Sequence, residues 1–250
     1  GHGSIRGIIE KIPYLVEVGV TGLWVCPPYP GPMYDNGYDI ADYIDNHHEL
    51  GNMDDFDALE TACHENGIRI MLDFIPNHSS ETHEWFQKSR RRLDGYDDWY
   101  IWHPGKKDAD GNPIPPNNWP AIFSAPNRWA RDEGKMPWLK DDELTPAISA
   151  WRWDDLRGEY YLGSFSKEQP DLNWENPDVR EAMKDNMRFW IDRGVDGFRM
   201  DAVNHMAKNR SFEDEERDPD FNENEGTKHS HNPYYQYKHR NSSNYPDRLF

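Results

Sequence analysis

The sequence predicts an α/β fold with parallel strands, built either as a doubly wound sheet or as a (β/α) barrel. The main observation is a unit that occurs three times, in which an amphipathic helix ends at a glycine and a short apolar strand follows. Repetition of helix, glycine and buried strand is typical of parallel strands joined by crossover helices. In addition, two of the strands end in a carboxylate, Asp73 and Asp201, at the edge where both architectures bind ligands.

The first unit has apolar residues at helical spacing over 5–16, with Ser4 as the predicted N-cap and Gly19 as the end of the helix. Pro13 lies inside this pattern, so we expect a kink or a shortened first turn there. The apolar strand follows at 22–26.

The second unit has a helix that stops at Gly67 and a strand at 68–74. In the third unit, Asn176 is the predicted N-cap, Pro177 occupies the first helical position, and a strand is expected at 195–201. The predicted buried stripes of these two helices consist of Phe56, Leu59, Ala62 and Cys63, and of Val179, Met183, Met187, Trp190 and Ile191.

Regular alternation stops for about 90 residues after His78, in a stretch rich in Pro, Asn, Asp and Trp. Its end contains a predicted hairpin over 151–165. Connections of this length without a function are uncommon, so we interpret the stretch as an inserted subdomain at a strand end. The acidic run at 213–226 is predicted to be a solvated loop.

The composition excludes several classes of function. The 46 acidic and 28 basic side chains give a net charge of −18, which argues against a nucleic-acid partner. The aromatic share of 14 % predicts a folded chain, and Trp or Tyr rings can also stack on a sugar. Cys26 and Cys63 are too few for a disulfide framework, and no apolar run is long enough to span a bilayer. We therefore expect a cytoplasmic protein with no membrane partner.

One strand carries a charged pair. Arg199 and Asp201 are two residues apart on the third strand, so their side chains share one face, predicted to be buried, where they must satisfy each other or a ligand. Two interpretations remain open at this point: a salt bridge that orders the fold, or a nucleophilic Asp201 that Arg199 keeps ionised.

Other polar groups follow the first two strands. Asp73, Asn77 and His78 end the second strand and could orient a substrate, bind a metal or serve the structure alone. Asp35 and Tyr38 flank an Asn-Gly turn after the first strand. The chain has no HExxH, CxxC, GxSxG or Walker pattern, so zinc protease, thiol redox, serine hydrolase and nucleotide hydrolase functions have no support.

Taken together, these residues resemble the alpha-amylase family of glycoside hydrolases (glycoside hydrolase family 13), and within it the alpha-glucosidase and oligo-1,6-glucosidase branch. The similarity runs through nearly the whole chain. Four motifs carry it: GVTGLWVCPPYPGPMYDNGYDIADY at 19–43, DFIPNHSS at 73–80, QPDLNWENP at 169–177 and GFRMDAVNH at 197–205.

The resemblance implies a (β/α)8 TIM barrel, of which this chain is an incomplete N-terminal portion. Residues 1–78 would form the first part of the barrel and 79–168 the inserted subdomain B. Residues 169–250 would continue the barrel, truncated before the strand that carries the general acid/base. The general acid Glu and a second Asp would therefore lie beyond this chain, and the chain alone is expected to be nearly inactive.

The resemblance also implies a role for single residues. Asp201 matches the nucleophile of a retaining, double-displacement mechanism, and Arg199 the arginine that orients it. Five further residues match sugar-binding positions: Asp35 for the far hydroxyls of the terminal glucose, Tyr38 for stacking, His78 for the hydroxymethyl region, Phe123 for the pocket wall and His205 for the aglycone side. No cofactor is implied, and no metal is assigned because His2 stands where the family's calcium loop commonly has an acidic residue.

The implied function is hydrolysis of terminal alpha-glucosidic bonds in maltose-like oligosaccharides, a small-molecule substrate. Ala202, directly after the nucleophile, is similar to the small residue of alpha-1,4-acting members and favours alpha-1,4 over alpha-1,6 linkages. Two alternatives stay open: a transglycosylase or sucrose isomerase on the same scaffold, and a non-catalytic homologue. The sequence does not indicate an oligomeric state.

Overall fold

The computed structural model describes residues 3–122 and 149–216, which fall into two units. The first unit comprises 3–87 and 176–203, and the second comprises 88–122, 149–175 and 204–216. In chain order, the helices and strands are α1 (Ile5–Glu17), β1 (Gly22–Val25), α2 (Met53–Glu65), β2 (Arg69–Phe74), α3 (Glu84–Ser89), β3 (Trp102–His103), β4 (Lys106–Lys107), β5 (Pro113–Ile114), β6 (Trp151–Asp154), β7 (Glu159–Leu162), α4 (Pro177–Asp192), β8 (Gly197–Met200) and the 3-10 turn Val203–His205.

The first unit contains a parallel sheet in the order β1-β2-β8, as the repeated helix-strand unit predicts. Leu72 of β2 lies opposite Val25 of β1 and opposite Phe198 of β8. Because side chains alternate along a strand, Ile70, Leu72 and Phe74 share one face, which is fully buried. The opposite face carries Trp24, Met71, Asp73 and Arg199.

The helix ends follow local sequence signals. The Ser4 hydroxyl accepts a hydrogen bond from the amide of Gly7 at 3.0 Å, and Asn176 caps α4 with Pro177 in the first position. The first turn of α1 is not shortened by Pro13, and the helix continues from Ile5 to Glu17. Its first turn is held instead by the cap and by the Ile5 amide, which donates to the Leu50 carbonyl at 2.8 Å.

The prediction that Ile191 belongs to the buried stripe of α4 is wrong. Val179, Met183 and Trp190 are buried, whereas Ile191 is 53 % exposed. Ile191 follows Trp190 directly, so it is turned by about 100° around the helix axis from the buried side chain.

Trp190 joins three elements in the core of the first unit. Its indole Nε1 donates to the Tyr43 carbonyl at 2.7 Å. Its ring meets Phe56 of α2 edge to face at 4.8 Å and Tyr29 at 5.9 Å. These contacts fix the segment after β1 against α2 and α4. The same segment carries Tyr38, a predicted site residue.

The second unit contains the predicted hairpin as β6 and β7, paired antiparallel, with β3 added along β7. Its core consists of Ile101, Trp119, Ala121, Ala150, Trp151, Tyr160 and Leu162. A buried ion pair joins Lys208 Nζ to Asp171 Oδ2 at 2.7 Å, and the hydroxyl of Ser164 donates to the same carboxylate. The subdomain boundaries at 79 and 168 stay a prediction.

Candidate active site

Three charged side chains meet at the carboxyl ends of β2 and β8. The parallel register places Arg199 opposite Asp73. Arg199 Nη1 lies 3.0 and 3.2 Å from the two carboxylate oxygens of Asp73, and 2.5 Å from Asp201 Oδ1. The Asp201 amide donates to the Phe74 carbonyl at 2.8 Å, so the nucleophile candidate is still held by the sheet. Arg199 and Asp201 contact each other, as their spacing predicts.

The predicted burial of Arg199 is wrong. Its side chain is 42 % exposed, while the Asp201 side chain is 19 % exposed and Asp73 is fully buried. Arg199 projects from the sheet face on which Trp24 is also 45 % exposed, and its guanidinium lies over the Trp24 ring at 5.3 Å. The guanidinium therefore connects a buried carboxylate to a more accessible one.

Asp73 belongs to this cluster, although the sequence predicts for it only a general part in orienting a substrate, binding a metal or supporting the structure, and no contact with Arg199. Besides contacting Arg199, Asp73 Oδ2 accepts a hydrogen bond from the Tyr38 hydroxyl at 2.8 Å. The sequence signal was the position of Asp73 at a strand end. The register that puts it opposite Arg199 is a property of the folded sheet.

The loop after β1 presents Asp35 and Tyr38. The buried Asp39 carboxylate accepts from the amide of Asp35 at 3.1 Å, and the Tyr38 amide donates to the Asp35 carbonyl at 3.0 Å. Asn36 and Gly37 have φ of 50° and 98°, so the predicted turn lies in the left-handed region that these residue types tolerate.

His78 lies against this loop. The ring is buried, and its Nε2 is 3.1 Å from the Tyr38 carbonyl, while Nδ1 is 3.2 Å from the side-chain nitrogen of Asn77. The first unit thus brings together Tyr38, His78, Arg199 and Asp201 of the predicted set, with Asp73 and Trp24 in addition. Asp35 lies in the same turn as Tyr38 and contacts it through the backbone.

Burial and charge set the protonation of the cluster. The pKa of Asp201 is raised, first by burial and also by nearby Asp73, and Arg199 opposes this effect without cancelling it. The pKa of Arg199 is raised, chiefly by its hydrogen bond to Asp73. Burial and the hydrogen bond to Asp73 raise the pKa of the Tyr38 hydroxyl. The guanidinium therefore stays charged and the phenol protonated at any physiological pH.

Two predicted site residues do not belong to the described part of the first unit. His205 belongs to the second unit, where it is buried and meets the Phe165 ring edge to face at 5.3 Å. Phe123 lies outside the described residues. Within residues 3–122 and 149–216, no group of three or more His, Cys, Asp or Glu side chains is arranged to hold a metal ion. Among the helices of these same ranges, none has the length and apolar character that crossing a membrane requires.

The chain is similar to known proteins over most of its length. The family model for the alpha-amylase catalytic domain matches residues 1–249. An alpha-glucosidase from Schizosaccharomyces pombe is 42 % identical over 86 % of this chain and 33 % of its own length. An oligo-1,6-glucosidase from Parageobacillus thermoglucosidasius is 45 % identical over 83 % of this chain and 32 % of its own length. The chain thus spans about a third of the curated relatives it matches.

Solved structures show the same similarity. Trehalose-6-phosphate hydrolase from Bacillus licheniformis superposes with a TM-score of 0.72 at 36 % identity, covering 85 % of this chain and 34 % of that one. The trehalulose synthase MutB from Pseudomonas mesoacidophila MX-45 gives 0.72 at 39 % identity, covering 84 % of this chain and 33 % of that one.

Proposed function

Since the chain belongs to the alpha-amylase family, matched by its catalytic-domain model from residue 1 to 249, we propose that it provides the nucleophile and the first sugar subsite of a retaining alpha-glucosidase. The observation that carries the proposal is the bridge that Arg199 makes between Asp73 and Asp201 at the carboxyl ends of two parallel strands. Alpha-glucosidases and oligo-1,6-glucosidases among the relatives support the substrate class.

In the proposed mechanism, Asp201 attacks the anomeric carbon of a terminal alpha-glucosyl unit. A bond forms between an Asp201 carboxylate oxygen and that carbon, and the glycosidic oxygen leaves with a proton from a general acid. Water then hydrolyses the glycosyl-enzyme, so the released glucose keeps the alpha configuration. Positive charge develops at the anomeric carbon in the transition state. The ionised carboxylate therefore stabilises the transition state more than the ground state.

Arg199 has two tasks in this proposal. Its contact at 2.5 Å orients the Asp201 carboxylate and favours the ionised form against the burial that raises its pKa. Its contacts with Asp73 anchor the guanidinium to a carboxylate that is itself fully buried. A nucleophile held by an anchored cation needs little rearrangement when charge develops.

The proposed sugar subsite uses Asp35, Tyr38 and His78, with Phe123 at the pocket wall and His205 on the aglycone side. Tyr38 would stack on the apolar face of the glucose ring, and Asp35 would accept hydrogen bonds from the far hydroxyls. A subdomain B over 79–168 is part of the same proposal. So is a reducing, cytoplasmic setting, which the two free cysteines support.

We favour alpha-1,4 over alpha-1,6 linkages because Ala202 follows the nucleophile. A sucrose isomerase is the second candidate function, since a solved trehalulose synthase is 39 % identical to the chain. Product analysis separates the two, because hydrolysis of sucrose releases glucose and fructose, whereas isomerisation yields a rearranged disaccharide.

The test uses the full open reading frame that encodes this chain. Maltose, isomaltose, sucrose and 4-nitrophenyl alpha-glucoside are supplied separately, and for the nitrophenyl glucoside, whose leaving group is not a sugar, proton NMR follows the anomer of the released glucose before mutarotation. The proposal predicts alpha-glucose as the first product of the nitrophenyl glucoside, faster release of glucose from maltose than from isomaltose, and loss of both activities in Asp201→Ala. Beta-glucose as the first product of the nitrophenyl glucoside, or an Asp201→Ala variant as active as the parent, would exclude the proposal.

A further inference from the structure

The backbone that carries His78 is held from its buried side by one phenol. The hydroxyl of Tyr43 lies 3.0 Å from the Ile75 carbonyl and 2.7 Å from the His78 carbonyl. A phenol has a single proton to donate, so the two carbonyl oxygens share it in a three-centre hydrogen bond. Both ends of segment 75–78 are thereby tied to one point.

Tyr43 itself has little freedom to move. The ring is buried, with Phe74 at 5.8 Å and Trp85 stacked at 5.8 Å. Its own carbonyl accepts the hydrogen bond from Trp190 Nε1 at 2.7 Å. Packing and the backbone contact thus fix the position of the Tyr43 ring. Its hydroxyl therefore holds segment 75–78 at a fixed point.

This rigid point leads directly to the sugar subsite. The His78 ring contacts the Tyr38 carbonyl at 3.1 Å, and the Tyr38 hydroxyl contacts Asp73. A further backbone contact joins the same two segments, because the Ser80 amide donates to the Ile40 carbonyl at 2.7 Å. A shift of the 75–78 backbone would therefore move the His78 ring relative to Tyr38.

We propose that Tyr43 is a positioning residue of the sugar subsite, whose hydroxyl sets the direction of the His78 imidazole by fixing segment 75–78. The inference rests on the proposed function, in which His78 binds the hydroxymethyl group of the terminal glucose. Tyr43 does not touch the substrate. It determines how well the subsite distinguishes a glucoside from a xyloside, which lacks the hydroxymethyl group.

This discrimination separates positioning from a merely structural role. A hydroxyl that only stabilises the fold affects both substrates equally, and the ratio of their kcat/KM values stays constant. A hydroxyl that positions His78 affects the glucoside alone, because the xyloside offers no group for His78 to bind.

The experiment compares Tyr43→Phe with Tyr160→Phe in the full reading frame. Tyr160 is a matched control, since its ring is also buried and its hydroxyl also donates to a main-chain carbonyl, that of Pro113 at 2.9 Å. For 4-nitrophenyl alpha-glucoside and alpha-xyloside, we expect Tyr43→Phe to lower the glucoside-to-xyloside ratio of kcat/KM about tenfold. Tyr160→Phe is expected to leave the ratio unchanged. An unchanged ratio in Tyr43→Phe overturns the inference.

A second measurement does not depend on catalysis. In nitrogen-detected NMR of the histidine rings, with His78→Gln for assignment, the His78 signals are expected to shift in Tyr43→Phe and to stay in place in Tyr160→Phe. Unmoved His78 signals overturn the inference as well. If the parent protein hydrolyses neither substrate, the proposed function fails, while the NMR result still decides the role of Tyr43.

A third variant covers the case in which Tyr43→Phe does not fold. Tyr43→4-aminophenylalanine keeps the ring and a weaker donor at the same place. It is expected to lower the substrate ratio only about two- to threefold, because the amine still reaches the two carbonyls. A tenfold fall of the ratio in a folded variant whose His78 signals do not shift would overturn the inference.

Discussion

At the scale of single residues, the position of the Arg199 guanidinium is constrained by two carboxylates. One of its nitrogens contacts both Asp73, which is buried, and Asp201, which is more accessible. Lysine has a compact ammonium on a flexible stem and cannot reproduce a planar guanidinium fixed at two places. We expect Arg199→Lys to lower kcat/KM about 100-fold. The loss of unfolding free energy is expected to be about 1–2 kcal/mol, because Tyr38 still donates to the buried Asp73.

Arg193→Lys is the matched control for this substitution. Arg193 Nη1 also contacts both oxygens of a carboxylate, Asp57, at 2.8 and 3.0 Å, but that carboxylate is 48 % exposed. Exposed pairs contribute about 0–1 kcal/mol, so this variant should keep its activity and nearly all of its stability. Equal losses of activity in the two variants would show that Arg199 has no special role at the nucleophile. Steady-state kinetics and urea denaturation provide the readouts.

Asp201 is expected to reduce stability at neutral pH. Burial raises the pKa of its carboxyl in the folded state, so the folded protein binds this proton more tightly than the unfolded chain does. The resulting penalty is present above the raised pKa and disappears as pH falls below the ordinary value of 3.8. Asp201→Asn is therefore expected to raise the thermal midpoint at pH 7, while activity is lost.

The control for this prediction is Asp185→Asn on the exposed face of α4, where the side chain is 70 % exposed. The difference between its midpoint and that of the parent should change little between pH 4 and pH 8. A lower midpoint for Asp201→Asn than for the parent at pH 7 would mean that the contact with Arg199 outweighs burial.

Contacts between neighbouring residues could be predicted from sequence, and contacts between distant ones could not. The two-residue spacing of Arg199 and Asp201 on a strand was enough to place them together. The partnership of Arg199 with Asp73 spans 126 positions and depends on the β2-β8 register, which spacing does not encode. The exposure of Arg199 likewise depends on which parts of the chain cover that face of the sheet.

At the scale of elements, His64 joins α2 to the residue before β8. Its Nδ1 lies 2.6 Å from Glu60 Oε1 and its Nε2 lies 2.8 Å from Asp196 Oδ2. The Asp196 carboxylate also accepts from the Ile70 amide at 2.8 Å, near the amino end of β2, the central strand of the parallel sheet. The hydrogen bond with Asp196 is the largest cause that raises the pKa of His64, and partial burial opposes it.

The sign of the pH effect follows from this direction. Because the pKa of His64 is higher in the folded state, its stabilising contribution is fully present below the unfolded value of about 6.5 and is lost as pH rises through the folded pKa. We expect the parent to be less stable at pH 8.5 than at pH 6. In His64→Gln, this difference in stability between the two pH values is expected to become smaller. His48→Gln, at an exposed position, should keep the parent's pH dependence. Thermal denaturation at both pH values is the measurement, and identical pH profiles for the parent and His64→Gln would contradict the account.

A second element-scale prediction concerns Lys208 and Asp171, whose side chains are almost completely buried. Removing one partner of a buried ion pair leaves an uncompensated charge, which typically costs about 3–5 kcal/mol. Lys208→Met is expected to lose this amount in urea denaturation. Lys184→Met removes an exposed pair with Glu181 and should lose less than about 1 kcal/mol. Equal losses in the two variants would contradict the prediction.

The elements themselves were predictable where their signals are local. Ser4 and Asn176 cap the helices that they were expected to cap, since a cap depends on residues within one turn. The exposure of Ile191 was missed because an apolar residue beside a buried stripe looks like a member of it. The strands at 102–103, 106–107 and 113–114 were not predicted, because two residues are too few to show any periodicity.

At the scale of the whole molecule, the repeated unit of helix, glycine and strand was enough to predict a parallel sheet. The three strands of that sheet all come from segments that showed the unit. The choice between a doubly wound sheet and a barrel could not come from periodicity, since both use the same unit. Family membership decides for the (β/α)8 barrel, because the chain matches the alpha-amylase catalytic domain over 1–249.

The account as a whole depends on Asp201 being the nucleophile of a retaining glucosidase. The most direct measurement is to incubate the product of the full reading frame with a fluorinated alpha-glucosyl fluoride, which slows hydrolysis of the covalent intermediate, and to locate the label by mass spectrometry of peptides. The account predicts one glucosyl adduct on the peptide that contains Asp201, and no adduct in Asp201→Asn. An adduct on Asp73 or on any other residue, or active enzyme that forms no adduct, would contradict it.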